Sequence, residues 1–248
     1  MAGDRRDIVA AIQALRAFAV LWVVVNHAFP HALPGGFAGV DVFFVISGFL
    51  ITSHLVREIG DESFSFVRFY LRRARRLLPA ALGALILTAA ATLILLPPAW
   101  QASTFGGIAA AAVYGVNWWL AINAVDYFAD SGITSPVNHF WSLSVEEQFY
   151  LVWPALMAAV FWIIGRQPGQ RRKGAAVPVA ALLVSVAILS FAATVFEMSR
   201  DRAAAYFMTH GRAWEFAVGG LGGLAAPGAA RMGGAGVRPV LFILGWVI

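Results

Sequence analysis

The sequence predicts an all-α, polytopic bundle of membrane helices, and three observations carry that prediction. Of 248 residues, 60% are hydrophobic and only 12% are charged, with a mean hydropathy of +0.75. Soluble domains are about 45–50% apolar and about 25% charged. Several apolar stretches approach the roughly 20 residues that a helix needs to span a bilayer. A transmembrane barrel would instead show alternating segments of about ten residues, and the sequence has no such alternation.

Taken in order, apolar spans are expected near 11–29, 37–56, 77–96, 104–122, 142–164, 176–196 and 212–226, with an eighth beginning near 237. Seven to eight spans are therefore predicted, in one transmembrane domain covering residues 1–248. The chain stops at Ile248 inside the last apolar run, so a C-terminally truncated bundle is expected. The N-terminal "MAGDRRD" before an apolar run has the outline of a signal peptide. No A-x-A cleavage pattern follows, however, and further spans do. The Gly-rich 220–236 reads as a helix end and a short loop. No internal repeat is present.

Net charge is +5 and unevenly placed. Six arginines fall within 57–76, including "RRARR" at 72–76, and 166–173 reads "RQPGQRRK". Beside apolar spans, such runs mark cytoplasmic loops rather than a nucleic-acid surface. A conflict follows. With the N-terminus inside, 57–76 is cytoplasmic, but if 77–96, 104–122 and 142–164 all cross, then 166–173 lies outside. One of those three must be re-entrant or interfacial, or the second basic loop breaks the rule. The absence of cysteine excludes disulfides, thiolate nucleophiles, Cys-ligated zinc and palmitoylation.

In "LRAFAVLWVVVNHAFP" (15–30) the ionisable residues are Arg16 and His27. Eleven residues at about 100° each leave an offset of only about 20°, so both lie on one helix face, roughly 16 Å apart. Intramembrane ionisable groups face a bundle interior or a watery cavity. Arg16 can instead snorkel, and His27 can cap the helix or act as a general base, its ordinary pKa near 6.5 suiting proton transfer. His27 and His31 have metal-pair spacing, but Pro30 interrupts the helix between them. No metal site is expected.

"GGFAGVDVFFVISGFLI" (35–51) sets Asp41 at the mouth of an apolar run, with His27 and Arg16 as candidate partners. Asp41 could orient His27 through its second ring nitrogen, or accept backbone N–H groups at a helix start. Ser47 and Gly48 read as small packing residues. Arg72, Arg73, Arg75 and Arg76 could neutralise anionic lipid or grip phosphates of an acyl-CoA. In "SPVNHFWSLSVEEQFYLVWP" (135–154), Ser144 and Glu147 have capping-box spacing. That leaves His139, Gln148, Glu146 and two tryptophans unexplained. In "HGRAWEFAVGG" (210–220), Arg212 and Glu215 can pair at i, i+3.

These stretches together resemble the bacterial membrane O-acyltransferases of the acyltransferase-3 family. The resemblance rests on five elements in the family's order: "LRAFAVLWVVVNHAF" as its Arg-x10-His, "GGFAGVDVFFVISGFLIT", "FYLRRARRLLP", "HFWSLSVEEQFYLVWP" and "GRAWEFAVGGLGGL". It implies a helical bundle in the bacterial inner membrane. That bundle would transfer an acyl group, usually acetyl, from cytoplasmic acyl-CoA to a hydroxyl of an envelope glycan or glycolipid. It further implies a catalytic set of His27, Asp41, Arg16, Glu146 and Glu147, with Arg72, Arg73 and Arg76 toward the donor. His27 would be a general base or an acyl relay, and Asp41 would orient it. A proton-coupled transporter of an acyl or glycan group is the competing expectation, with His27 and Asp41 as a proton relay. An inactive remnant is the third.

Overall fold

In the computed structural model, residues 2–29, 35–123, 135–164 and 171–231 are described. Those residues form helices: α1 (Ala2–Ala28), a short 3-10 turn (Gly36–Ala38), α2 (Gly39–Gly60), α3 (Phe66–Leu95), α4 (Pro98–Ala112), α5 (Val116–Ile122), α6 (Phe140–Ile164), α7 (Arg171–Met198), α8 (Arg202–Phe207) and α9 (Thr209–Arg231). Among the described residues, five helical stretches are long and apolar enough to cross a bilayer: Ala10–Ala28, Gly36–Gly60, Phe66–Leu95, Phe140–Ile164 and Gly174–Met198. This is a multi-pass helical membrane protein.

The predicted crossing at 104–122 is not a single helix. α4 ends at Ala112, and Tyr114 adopts a left-handed backbone (φ 54°) before Gly115, a conformation that non-glycine residues rarely adopt. At this apex the Tyr114 carbonyl accepts from Gln148 Nε2 in α6. α5 then doubles back, so that Gly106 of α4 faces the Trp119 ring and Gly107 faces Val137, just before α6 begins. The segment enters and returns on one side as a re-entrant hairpin. With 104–122 not crossing, the Arg-rich start of α3 and the end of α6 fall on the same side, which eases the conflict over the basic runs. The predicted span at 212–226 lies inside α9, which is not among these five stretches. The span beginning near 237 lies outside the described residues.

The centre of the bundle is α2, α6, α7 and α9. α2 and α9 run parallel and almost touch. A Cβ on Gly48 would land on the Phe216 carbonyl, one on Gly219 on the Val45 carbonyl, and one on Gly223 on Ser53 Oγ. Small residues permit such approach, and in lipid that approach supplies the packing energy. Glycine also sets α1 against α2, since a Cβ on Gly39 would sit 2.6 Å from the Ala19 carbonyl oxygen. Aromatic rings fill the space between α2, α6 and α9: Phe149 stacks on Phe216 (centroids 4.0 Å) and on Trp153 (4.5 Å). Trp153 Nε1, buried, donates to Thr52 Oγ1 at 2.9 Å.

Candidate functional site

The polar residues singled out from the sequence divide among three places. The first lies at the end of α1. His27 Nδ1 is 2.8 Å from the Val23 carbonyl oxygen one turn earlier. That bond makes Nδ1 the donor, so Nε2 carries the lone pair of the neutral ring. His27 is exposed, and Arg16 is half-buried on the stripe with Ala19 and Val23 that faces α2. His139, in the turn before α6, lies close enough to feel His27. Burial, and then the neighbouring His27 charge, hold its pKa below the ordinary histidine value. Two imidazoles therefore share this end of the bundle. His31 lies outside the described residues.

The second place corrects the reading of Asp41. Its carboxylate pairs with Arg212, Nη1 to Oδ1 at 3.1 Å, and not with His27 or Arg16. Arg212 Nη1 also meets Glu215 Oε1 at 3.0 Å, the i, i+3 pair expected from the sequence. Arg212 Nε donates to the Tyr206 carbonyl, and the guanidinium lies 4.6 Å from the Tyr206 ring centroid and 5.5 Å from that of Trp141. Glu215 is completely buried, and its Oε2 has no hydrogen-bond partner. Two carboxylates thus share one guanidinium inside the bundle.

The third place is built on α6, and the structure corrects the capping-box reading there. α6 begins at Phe140, so Ser144 and Glu147 lie inside the helix rather than at its cap. Adjacent side chains diverge by about 100°, and the two acids accordingly serve different neighbours. Glu146 Oε1 faces α2, accepting from Ser47 Oγ (2.6 Å) and Tyr150 OH (2.9 Å). Ser47 is thus a hydrogen-bond donor rather than simple packing. Glu147 faces α3 and takes Arg73 in a two-pronged bond, Nη2–Oε1 at 2.6 Å and Nε–Oε2 at 3.5 Å. The same guanidinium lies 3.3 Å from the centroid of the Tyr150 ring.

This pair opens on a groove of about 230 Å³ between α3, α6 and the hairpin apex, lined by Tyr70, Tyr114, Tyr150 and Gln148 among others. Arg73 is thus committed to a carboxylate. Its neighbours differ: Arg72 reaches Glu58 at 3.7 Å while remaining exposed, and Arg76 is exposed.

Sequence reasoning missed a ring of three side chains beside this groove. Gln148 donates to Asn117 Oδ1, Asn117 to Thr209 Oγ1, and Thr209 back to Gln148 Oε1. Each member uses its donor and acceptor within the ring, and this ties the hairpin to α6 and α9. A polar residue followed by two tryptophans in "VNWWL" was the available signal.

A helical membrane bundle is the architecture that the resemblance called for. The comparison with known proteins agrees. The profile of the acyltransferase-3 family, described as an acyltransferase domain, matches residues 9–248, and the chain belongs to that family. A Bacillus subtilis protein provisionally named a peptidoglycan O-acetyltransferase is 34% identical over 212 residues, which are 85% of this chain and 32% of that protein. The peptidoglycan O-acetyltransferase of Listeria monocytogenes is 38% identical over 160 residues, 64% of this chain and 26% of that one. A Staphylococcus aureus protein provisionally named an O-acetyltransferase is 35% identical over 205 residues, 82% of this chain and 32% of the relative. The chain thus spans about a third or less of the length of these relatives. No solved structure matches it significantly.

Proposed function

We propose that this chain is the membrane acyltransferase part of an envelope O-acetyltransferase of the bacterial inner membrane. The donor is an acyl-CoA, acetyl-CoA in the simplest case, and the acceptor is a hydroxyl of an envelope glycan, with peptidoglycan favoured by the relatives' names. The observation that carries this reading is the His27–Val23 hydrogen bond. In a chain of this family, it fixes the tautomer that a general base requires.

His27 Nε2 takes the proton of the acceptor hydroxyl as its oxygen attacks the thioester carbonyl carbon. The new C–O ester bond forms and the C–S bond breaks. The thiolate of CoA then leaves and is protonated by the imidazolium. In the relay variant Nε2 itself attacks the thioester carbon and the C–S bond breaks, releasing the thiolate of CoA. The hydroxyl oxygen then attacks the acyl-imidazolium, the C–N bond breaks as the ester forms, and the hydroxyl proton passes through the freed imidazole to the thiolate. Arg72 and Arg76, both exposed, meet the donor's phosphates bidentately. Arg73 keeps Glu147 at the groove wall. The groove's Glu147 lies eight residues along α6 from His139, roughly 12 Å at 1.5 Å per residue.

The test is envelope acetylation by the full-length protein carrying His27→Ala, with membrane insertion verified and glycans read by mass spectrometry. Acetyl transfer should fall to background. Undiminished product would overturn the role of His27, and gradient-driven transport without release of free CoA would replace the enzyme with a transporter.

A further inference from the structure

We infer that Arg212 is a positioning residue for His27, acting through Asp41 and the glycine turn rather than by contact. The inference rests on the proposed acyl transfer, since it gives a role to residues that the reaction does not touch.

A rigid path connects the two. Arg212 fixes Asp41, three residues into α2, at 3.1 Å. Asp41 stands at the head of the segment whose glycines press on α1. A Cβ on Gly39 would meet the Ala19 carbonyl oxygen and Val23 Cγ2, and one on Gly36 would meet Asn26 and the Trp22 carbonyl. Gly35, with φ 96°, turns the chain into this contact. Val23 and Asn26 belong to the turn that carries His27, and the Val23 carbonyl is the group that receives its Nδ1. A shift of the α2 head therefore moves the peptide that holds the imidazole.

The other end of the path has little freedom. Arg212 is clasped by Glu215, by the Tyr206 carbonyl and by two aromatic faces. α9 itself is locked to α2 through the contacts at Gly48 and Gly219. A guanidinium serves here because its fixed fork can hold two carboxylates and a carbonyl at once, where an ammonium would act as a point charge. The second acid adds to the restraint. Glu215, fully buried with an orphan oxygen, cannot release Arg212 without leaving a buried carboxylate unpaired.

The experiment uses the full-length protein in membranes, with Arg212→Lys, Asp41→Asn, the double variant and His27→Ala side by side. Turnover per inserted molecule, KM for acetyl-CoA, and the rate at which diethyl pyrocarbonate modifies His27 are measured, the last by peptide mass mapping. Arg212→Lys and Asp41→Asn should each lower turnover about 10- to 100-fold, the scale of a misplacement near 1 Å, with KM changed less than about twofold. The double variant should lose no more than the worse single variant, because both changes cut the same path. The His27 modification rate should change in both. A merely structural role would lower the inserted amount and leave turnover per molecule and His27 reactivity unchanged, and that result overturns the inference while His27→Ala remains inactive. If His27→Ala keeps full activity, the proposed reaction falls, and the modification rate still decides whether Arg212 positions the ring. Where Arg212→Lys fails to insert, Asp41→Asn decides by the same criteria.

Discussion

Two partly buried, ion-paired arginines of this bundle, Arg73 and Arg212, invite comparison. Arg73 and Arg212 each pair with glutamate, each lie over a tyrosine ring and each join helices far apart in sequence. Their surroundings differ in charge balance and in access. Arg73 meets one carboxylate, and its side chain, 24% exposed, lines the groove. Arg212 meets two carboxylates, one of them completely buried, at an interface where glycine backbones almost touch. An ion pair open to a groove can exchange partners at modest cost. One sealed against a fully buried acid cannot, because any departure leaves that group unpaired in low dielectric. The first arrangement suits a surface that meets a ligand, and the second suits a joint.

The contrast can be broken or sharpened by substitution. The largest effect is expected at the seal. Gly219→Leu drives a side chain into the Val45 carbonyl and the Phe49 amide and should abolish the monodisperse protein on size-exclusion chromatography. Gly222→Ala, whose Cβ would meet only the Phe49 ring at 3.6 Å, should leave it intact. Next in size, Arg212→Ala strands Asp41 and Glu215 and should cost about 3–5 kcal/mol by denaturant unfolding in micelles. Adding Glu215→Gln to that variant should recover part of the loss.

Arg73→Ala should cost less, about 1.5–3 kcal/mol, the range for hydrogen bonds to charged groups. A loss equal to that of Arg212→Ala would erase the distinction drawn above. The smallest effect concerns His139, whose lowered pKa means that the unfolded chain binds more protons below about pH 6.5. Stability contributed by its neutral form is complete above that pH and is lost as pH falls toward the lowered value. His139→Phe should therefore flatten the decline of apparent Tm between neutral and mildly acidic pH.

Much of the site was legible in the sequence because its residues sit in local patterns. The i, i+3 pair of Arg212 and Glu215 needs only a helix, and the structure supplies one. The adjacent acids Glu146 and Glu147 stood out as polar residues in apolar surroundings, but their division between α2 and α3 did not, since it depends on which helices flank α6. Asp41 shows the limit most clearly. Reasoning along the chain offered it the ionisable groups of the preceding helix, whereas its partner lies 171 residues away. The re-entrant hairpin lay between these cases. The charge of the flanking loops left either a segment that does not cross or a basic loop that breaks the rule, and the left-handed turn at Tyr114 points to the segment at 104–122.

Composition and period alone determined that this chain is a helical membrane protein, because apolar length and the need to satisfy every backbone group in lipid leave no other form for such segments. The order of its five motifs determined the family. Tertiary structure decided which charge meets which. Ion pairs act over a few ångströms, and only the packing of α2 against α9, set by glycines that let two backbones touch, brings Asp41 within that range of Arg212.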